Sequence, residues 1–243
     1  MKTLFLDLAS HSGLLACVAD DAVVASVSVD HRINDTELVP LFEKLLKDAN
    51  WMQQDIQRIA CVIGPGGFTS LRVAVAFANA LAFGLDVPVA GVHLSDLWAA
   101  RTPPIPRPLS PVSGERGGAE PRAISHLPEG GRGLGGGGFL WLHSTKKTQL
   151  FVRGFGSWAQ KFPEAVCISL DDLLQVLPSP QRGEGQGVGA VWLGELLPEH
   201  EALVAAKGGK RADAQPPLEI LPQFVSALMY EKKTLVPWYG RSW

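Results

Sequence analysis

Residues 58–84, RIACVIGPGGFTSLRVAVAFANALAFG, read as a strand, a glycine turn and a helix. The apolar run 58–63 predicts the strand, and Gly64-Pro65-Gly66-Gly67 ends it. A helix is expected over 69–84, with Thr69 as its cap. Ala74, Ala76, Ala78, Ala80 and Ala82 put small side chains on every face of that helix. Val73, Val75, Phe77, Leu81 and Phe83 fill the rest. A helix apolar all round is covered on all sides. Two coverings fit equally well: a second lobe of the same chain, or a partner on the outer face.

Working outward, 3–9, 14–19 and 23–29 read as three short strands, separated by His11-Ser12-Gly13 and Asp20-Asp21. Asp35 or Thr36 is expected to cap a helix whose stripe is Leu38, Leu41, Phe42, Leu45 and Leu46, with Pro40 in its first turn. A strand at 87–92 and a helix from His93 to Arg101 complete a β-β-β-α-β-α-β-α order. That order predicts an α/β lobe over 1–101: a meander followed by crossovers, hence a mixed sheet with packed helices. Residues 102–138 hold seven prolines and then a glycine run, a composition expected to be a disordered insert. A similar piece spans 178–189, and Ser110-Pro111 through Glu115 parallels Ser179-Pro180 through Glu184, as if one element were inserted twice. A smaller second lobe is expected over 139–243. Its strands are read at 139–142, 149–155, 165–169 and 190–193, with a helix to Val176 capped by Ser169 or Asp171. A final helix is read at 222–233, with a stripe of Phe224, Val225, Leu228 and Met229.

Composition limits the function classes. The chain has 243 residues, a net charge of -2 and 46% hydrophobic residues, so bulk charge does not recruit nucleic acid. Cys17, Cys61 and Cys167 sit singly in apolar runs, as reduced cytosolic thiols do. Asp7 and His11 interrupt the stretch that a secretory signal would need to keep apolar. The longest apolar run, 73–85, is short of the ~20 residues of a spanning helix. A cytoplasmic protein without membrane contact is therefore expected.

The glycine loop is the sharpest chemical feature. Backbone amides of Gly64, Gly66 and Gly67 ahead of a helix N-terminus suit an anion, and Asp7, which ends the first strand ahead of Ser10, is placed to hold a metal-bound water or a phosphate. Arg72, in the first turn, opposes the helix dipole and is a candidate for a specific contact. The plainer alternatives are a turn built of glycines, and an Asp7 that caps its own turn through Ser10 or His11. No Lys follows the glycines, and the third position of a GxGxxG is Thr69, so neither common phosphate motif is present. His11, His31, His93, His126, His143 and His200 form no short-spaced pair, so no metal site is expected. No GxSxG nucleophile motif exists, and no catalytic residue is assigned.

The segment Ile63-Gly64-Pro65-Gly66-Gly67-Phe68-Thr69-Ser70-Leu71-Arg72-Val73 resembles the GPGSFTGLRIG signature of the TsaB family, also called glycoprotease-like or Gcp-like. Leu4 to Ser10 is similar to the family's LAIDTS strand. Asp35 to Pro40 stands where it has HSExLLP, and Pro88 to Leu97 is similar to PxxGVSSL. Pro237, Tyr239 and Arg241 match a terminal PxYxR. The resemblance covers 1–101 well and 139–243 loosely. It departs at Asp35, at Ser70, and at Leu142-His143-Ser144-Thr145, where the family carries Asp-Ala-Arg.

The resemblance implies an actin/Hsp70-like (ASKHA) two-lobed fold and no independent catalysis. It implies a scaffold subunit of the machinery that makes N6-threonylcarbamoyladenosine at position 37 of tRNA. Such a subunit pairs with the catalytic TsaD, is joined by the ATPase TsaE, and can form homodimers. Any tRNA contact would come through that complex. It implies no cofactor in this chain, with ATP and threonylcarbamoyl-AMP at the partner subunits and the loop of Asp7, Ser10, Gly64, Gly66 and Gly67 vestigial. It shifts the choice for the alanine-rich helix toward a partner interface at Thr69, Leu71, Arg72, Val75, Ala78, Asn79 and Ala82. The other readings kept open are an ATP-dependent kinase or acyl-transfer enzyme of the same fold, and a homodimeric binding module.

Overall fold

Alternation along the first strand decides which side of the sheet each residue serves. In β1 (Lys2–Asp7), Leu4 and Leu6 point into one core and Phe5 into another. The same split runs through β2 (Ser12–Ala19) and β4 (Arg58–Gly64): Leu15, Cys17, Ile59 and Cys61 on one side, Ala16, Val18, Ala60 and Val62 on the other. Both faces of this sheet are therefore buried. A computed structural model describes residues 1–30, 35–102, 138–178 and 189–240. Both expected Gly/Pro-rich inserts lie essentially outside these residues, as does Arg241.

With β3 (Ala22–Asp30) and β5 (Val89–His93), the first sheet has the order β3-β2-β1-β4-β5. The meander is antiparallel, and β1, β4 and β5 run parallel. One face is covered by α1 (Asp35–Ala49) and α2 (Phe68–Leu85), which meet at an edge-on Phe42–Phe77 pair with centroids 5.2 Å apart.

The second lobe repeats this plan. Its strands β6 (Phe139–Lys146), β7 (Gln149–Phe155), β8 (Val166–Ser169), β9 (Val191–Glu195) and β10 (Lys210–Arg211) lie in the order β10-β9-β6-β7-β8. Read from β8, this is the order of the first sheet with the same parallel and antiparallel pairings. Its outer face carries α4 (Leu170–Val176), capped by Ser169, and α5 (Pro198–Ala206). Between the sheets lie α3 (Leu94–Ala100) and α6 (Pro217–Ala227). Leu97 and Trp98 from α3, and Leu221 and Phe224 from α6, share one core with Phe5 and Val62 of the first sheet and Trp141 and Phe151 of the second. This is the actin/Hsp70-like, two-lobed α/β arrangement.

Residues 231–238 depart from the expected second lobe over 139–243, because they return to the first. Val89 and Glu231 exchange backbone hydrogen bonds of 2.9 and 3.0 Å. Leu235 N–H donates to Asn79 Oδ1 (2.9 Å), and Asn79 Nδ2 donates to the Leu235 carbonyl (3.0 Å). Trp238 N–H donates to the Ile63 carbonyl at 2.7 Å. The tail thus straps β4, β5 and α2 together.

Several helix ends differ from expectation. Gly67, not Thr69, is the cap of α2, and the helix begins at Phe68. Because α1 starts at Asp35, Thr36 lies within the helix and its cap falls outside the described residues. Pro40 lies in the helix interior rather than its first turn. The last helix spans Pro217–Ala227 with Pro222 inside it, so Leu228 and Met229 leave the stripe and Met229 is 77% exposed. Helix α5 and strand β10 were not anticipated.

Candidate functional site

The glycine loop is filled by protein. A Cβ on Gly64 would stand 2.2 Å from the Trp238 carbonyl oxygen, and one on Gly66 would stand 2.7 Å from Ala9 Cα. These glycines let the tail and the turn after β1 pass in direct contact with the loop. On their Cβ sides, Gly64 and Gly66 are met directly by backbone. Gly67 alone faces outward.

Asp7 serves its own turn. Its carboxylate accepts from Ala9 N–H (2.9 Å), Ser10 N–H (3.1 Å) and the Ser10 hydroxyl (2.6 Å). Burial pushes the Asp7 carboxyl up, and those three donors pull it partly back. The turn they hold presents His11 to the second lobe.

There three residues converge that no sequence spacing connects. His11 N–H donates to Glu195 Oε2 at 2.9 Å. His143 Nδ1 lies 3.6 Å from the same oxygen, and the His11 and His143 rings are 5.1 Å apart. Side-chain donor atoms of His11, His143 and Glu195 all lie within 4.8 Å of one another. Burial drops His143 to about 3 and pushes the Glu195 carboxyl up. Sequence analysis noted the two histidines as scattered and passed over Glu195. They come together because His143 of β6 pairs in register with Glu195, the last residue of β9, and the turn after β1 donates His11 N–H to that same Glu195.

Nearby, Ser144 and His200 form a buried pair with a structural role. His200 Nε2 donates to the Lys147 carbonyl (2.8 Å), so its Nδ1 accepts from the Ser144 hydroxyl (2.8 Å), which itself accepts from Leu197 N–H. The Ser144 oxygen is committed to the loop after β9 and is not a poised nucleophile. Burial pushes the Cys17 thiol up to about 12, which keeps it protonated.

The helix α2 divides cleanly. Leu71, Val75 and Ala78, expected at a partner interface, are 0–3% exposed in the first lobe's own cores. Asn79, also expected there, is engaged by the Leu235 backbone. Ala82 is half-buried and Thr69 exposed. Arg72 is exposed, with its guanidinium 5.3 Å from the centre of the Phe68 ring. The outward stripe is Phe68, Thr69, Arg72, Ala76, Ala80 and Phe83, with Phe68 55% and Phe83 92% exposed. By length and composition α2 could cross a membrane, at a mean hydropathy of 1.5 over 18 residues. One of its faces packs on β4 and β1 inside the folded lobe.

His93 makes a testable contribution to acid stability. Its Nδ1 accepts from Ser95 N–H, its Nε2 is buried without a partner, and burial beside Arg153 lowers it from 6.5 to about 4. The native ring is neutral where the unfolded ring is charged, so the unfolded state holds the extra proton between those values. Stability therefore falls as pH drops through that window, by up to about 1.4 kcal/mol per pH unit for this ring. The raised Asp7 and Glu195 carboxyls slope the opposite way, so the effect is read as a difference. His93→Asn, which can still cap α3, is expected to flatten the acid limb of urea midpoints taken at pH 7, 6 and 5. Unchanged slopes in the variant would refute the assignment.

Comparison with known proteins adds to this geometry. A family model described as TsaD, tRNA N6-adenosine threonylcarbamoyltransferase, matches residues 29–115. The chain is 28% identical over 119 residues to the tRNA threonylcarbamoyladenosine biosynthesis protein TsaB of Bacillus subtilis, covering 49% of this chain and 52% of that protein. It is 29% identical over 92 residues to the Escherichia coli protein of the same name, covering 38% and 40%. The chain thus spans about half the length, or less, of the curated relatives it matches. The solved structure of YeaZ from Pseudomonas aeruginosa superposes with a TM-score of 0.58 over 98% of this chain and 99% of that one. At 17% identity, that likeness speaks to the fold.

Proposed function

We propose that this chain belongs with the TsaB proteins it is similar to and serves in tRNA threonylcarbamoyladenosine biosynthesis as a non-catalytic pairing subunit. Its partner in this reading is a TsaD-type threonylcarbamoyltransferase, with a TsaE-type ATPase joining the pair in the cytoplasm. The observation that carries the reading is the outward stripe of α2. A helix this apolar, with Phe68 and Phe83 in solvent and its inner face already packed, has a surface suited to another protein. Burying an exposed phenylalanine contributes about 1.5–3 kcal/mol, and a small-residue stripe at Ala76 and Ala80 lets a second helix approach closely.

In this reading the chain carries no cofactor, and ATP and threonylcarbamoyl-AMP act at the partners.

The test is co-purification with the TsaD-type protein of the same cell, with size-exclusion chromatography for stoichiometry. A one-to-one complex is expected. Ala76→Arg and Phe83→Glu, both on the exposed stripe, are expected to weaken it at least ~100-fold while shifting Tm by no more than about 2 °C. Full retention of the complex in both variants would refute the α2 interface. Self-association of the chain alone, lost in the same variants, would favour the homodimer instead.

A further inference from the structure

We propose that His11, His143 and Glu195 form a binding site for a divalent first-row transition cation, zinc being the best fit, that ties the two lobes together. Two imidazoles and a carboxylate are a common donor set for zinc. The donors come from three separated places: the turn after β1, the middle of β6 and the last residue of β9. They meet at the carboxyl ends of the parallel strands, where open α/β sheets collect ligands.

A second observation points to a ligand. His143 is 2% exposed, and among the described residues its Nδ1 has no hydrogen-bond partner, though it faces Glu195 Oε2 from 3.6 Å. Buried ring nitrogens are ordinarily bonded, and one left bare beside a carboxylate is a donor without an acceptor or a ligand without its metal. The 3.6 Å separation is too long for the first. It suits a cation seated between the two groups.

Access agrees. Glu195 is half-buried and His11 exposed, so an ion can enter from solvent past the His11 ring. Zinc binds these donors at about 2.0–2.2 Å, which sets them about 3.3 Å apart. The 4.8 Å spread must therefore contract, and the exposed His11 turn is the part able to move. Water would complete the coordination.

The experiment uses the full chain without a histidine tag, stripped with chelator and titrated with zinc sulfate by calorimetry, with bound metal counted after dialysis. One zinc per chain is expected, with a Kd of about 10 µM or tighter. A Tm rise of about 4 °C or more is expected at a 100-fold excess over Kd. His11→Ala, on the exposed turn and safe for folding, is expected to weaken binding at least ~30-fold. Glu195→Gln is expected to do the same, while Cys167→Ser leaves binding unchanged. Cobalt substituted for zinc should give ligand-field bands without a thiolate charge-transfer band. No zinc bound at a zinc concentration 100-fold over the expected Kd, or full binding in both His11→Ala and Glu195→Gln, would overturn the site. Because none of these readouts uses the TsaD-type partner, the result is independent of the pairing function.

Discussion

Ala78→Arg is expected to yield no soluble folded protein, and Val75→Glu to come close to the same result. Both positions lie on the alanine-rich helix, where the family resemblance implies a partner interface. In the folded lobe Ala78 is fully buried and Val75 is 3% exposed, against Leu4, Ile59 and Cys61 of the sheet beneath. A guanidinium or carboxylate there has no counter-charge. The effective cost of an unpaired buried charge is several kcal/mol, and overpacking adds about 1–3 kcal/mol. A domain of this size has about 5–15 kcal/mol in total. Soluble yield, far-UV circular dichroism and Tm measure the outcome. Either variant purified with a wild-type Tm would show that α2 does not pack on β4 as described. Set beside Ala76→Arg two residues earlier, the pair separates loss of fold from loss of partner.

Gly64→Ala is expected to cost at least about 3 kcal/mol and about 6–12 °C in Tm. Two causes act together. Gly64 has φ +131, where side chains other than glycine's are strained, and the new Cβ would stand 2.2 Å from the Trp238 carbonyl oxygen. Because the obstacle is backbone, relief requires the tail to lift. Hydrogen exchange at Trp238 N–H, which donates to Ile63, should rise with the fall in Tm. Gly84→Ala is the control, since a Cβ there meets nothing within 4 Å. That change inside α2 should be neutral or stabilising by up to about 1 kcal/mol. Equal effects at Gly64 and Gly84 would mean that helix and loop propensity, not the tail, govern the site.

The elements that sequence periodicity placed well are those with a strong one-sided pattern. The meander, α1 and β4 are examples, because their burial follows directly from period two or 3.6. Helix α5 went unread because only His200 and Val204 of its nine residues are buried, so no stripe marks it. Its usable signals were Pro198 at the start and Glu199 and Glu201 in the first turn. The last helix, expected from Pro222, is instead opened by Pro217, and Pro222 lies on its buried side.

For the site, the residues were legible but not their purpose. Gly64 and Gly66 stand out in the sequence, yet the groups that occupy their open sides arrive from Trp238 and Ala9. Asn79 reads as a polar oddity on an apolar helix and turns out to hold Leu235. Glu195 carried no motif at all. Its partner His11 lies 184 positions away, a separation that no short pattern spans. The duplicated strand order is what brings such distant residues together, and it emerges only when the two sheets are compared.

The strap formed by residues 231–238 has a consequence for biosynthesis. Asn79 and Leu235 are 156 positions apart, so the first lobe leaves the ribosome long before the segment that seals it. At about 5–20 residues per second, that interval lasts on the order of ten to thirty seconds. During it the β5 edge and the Asn79 carboxamide face water or whatever chaperone is at hand. A nascent first lobe stalled before residue 231 is expected to be a chaperone client, and emergence of residues 231–238 is the step that ends its dependence.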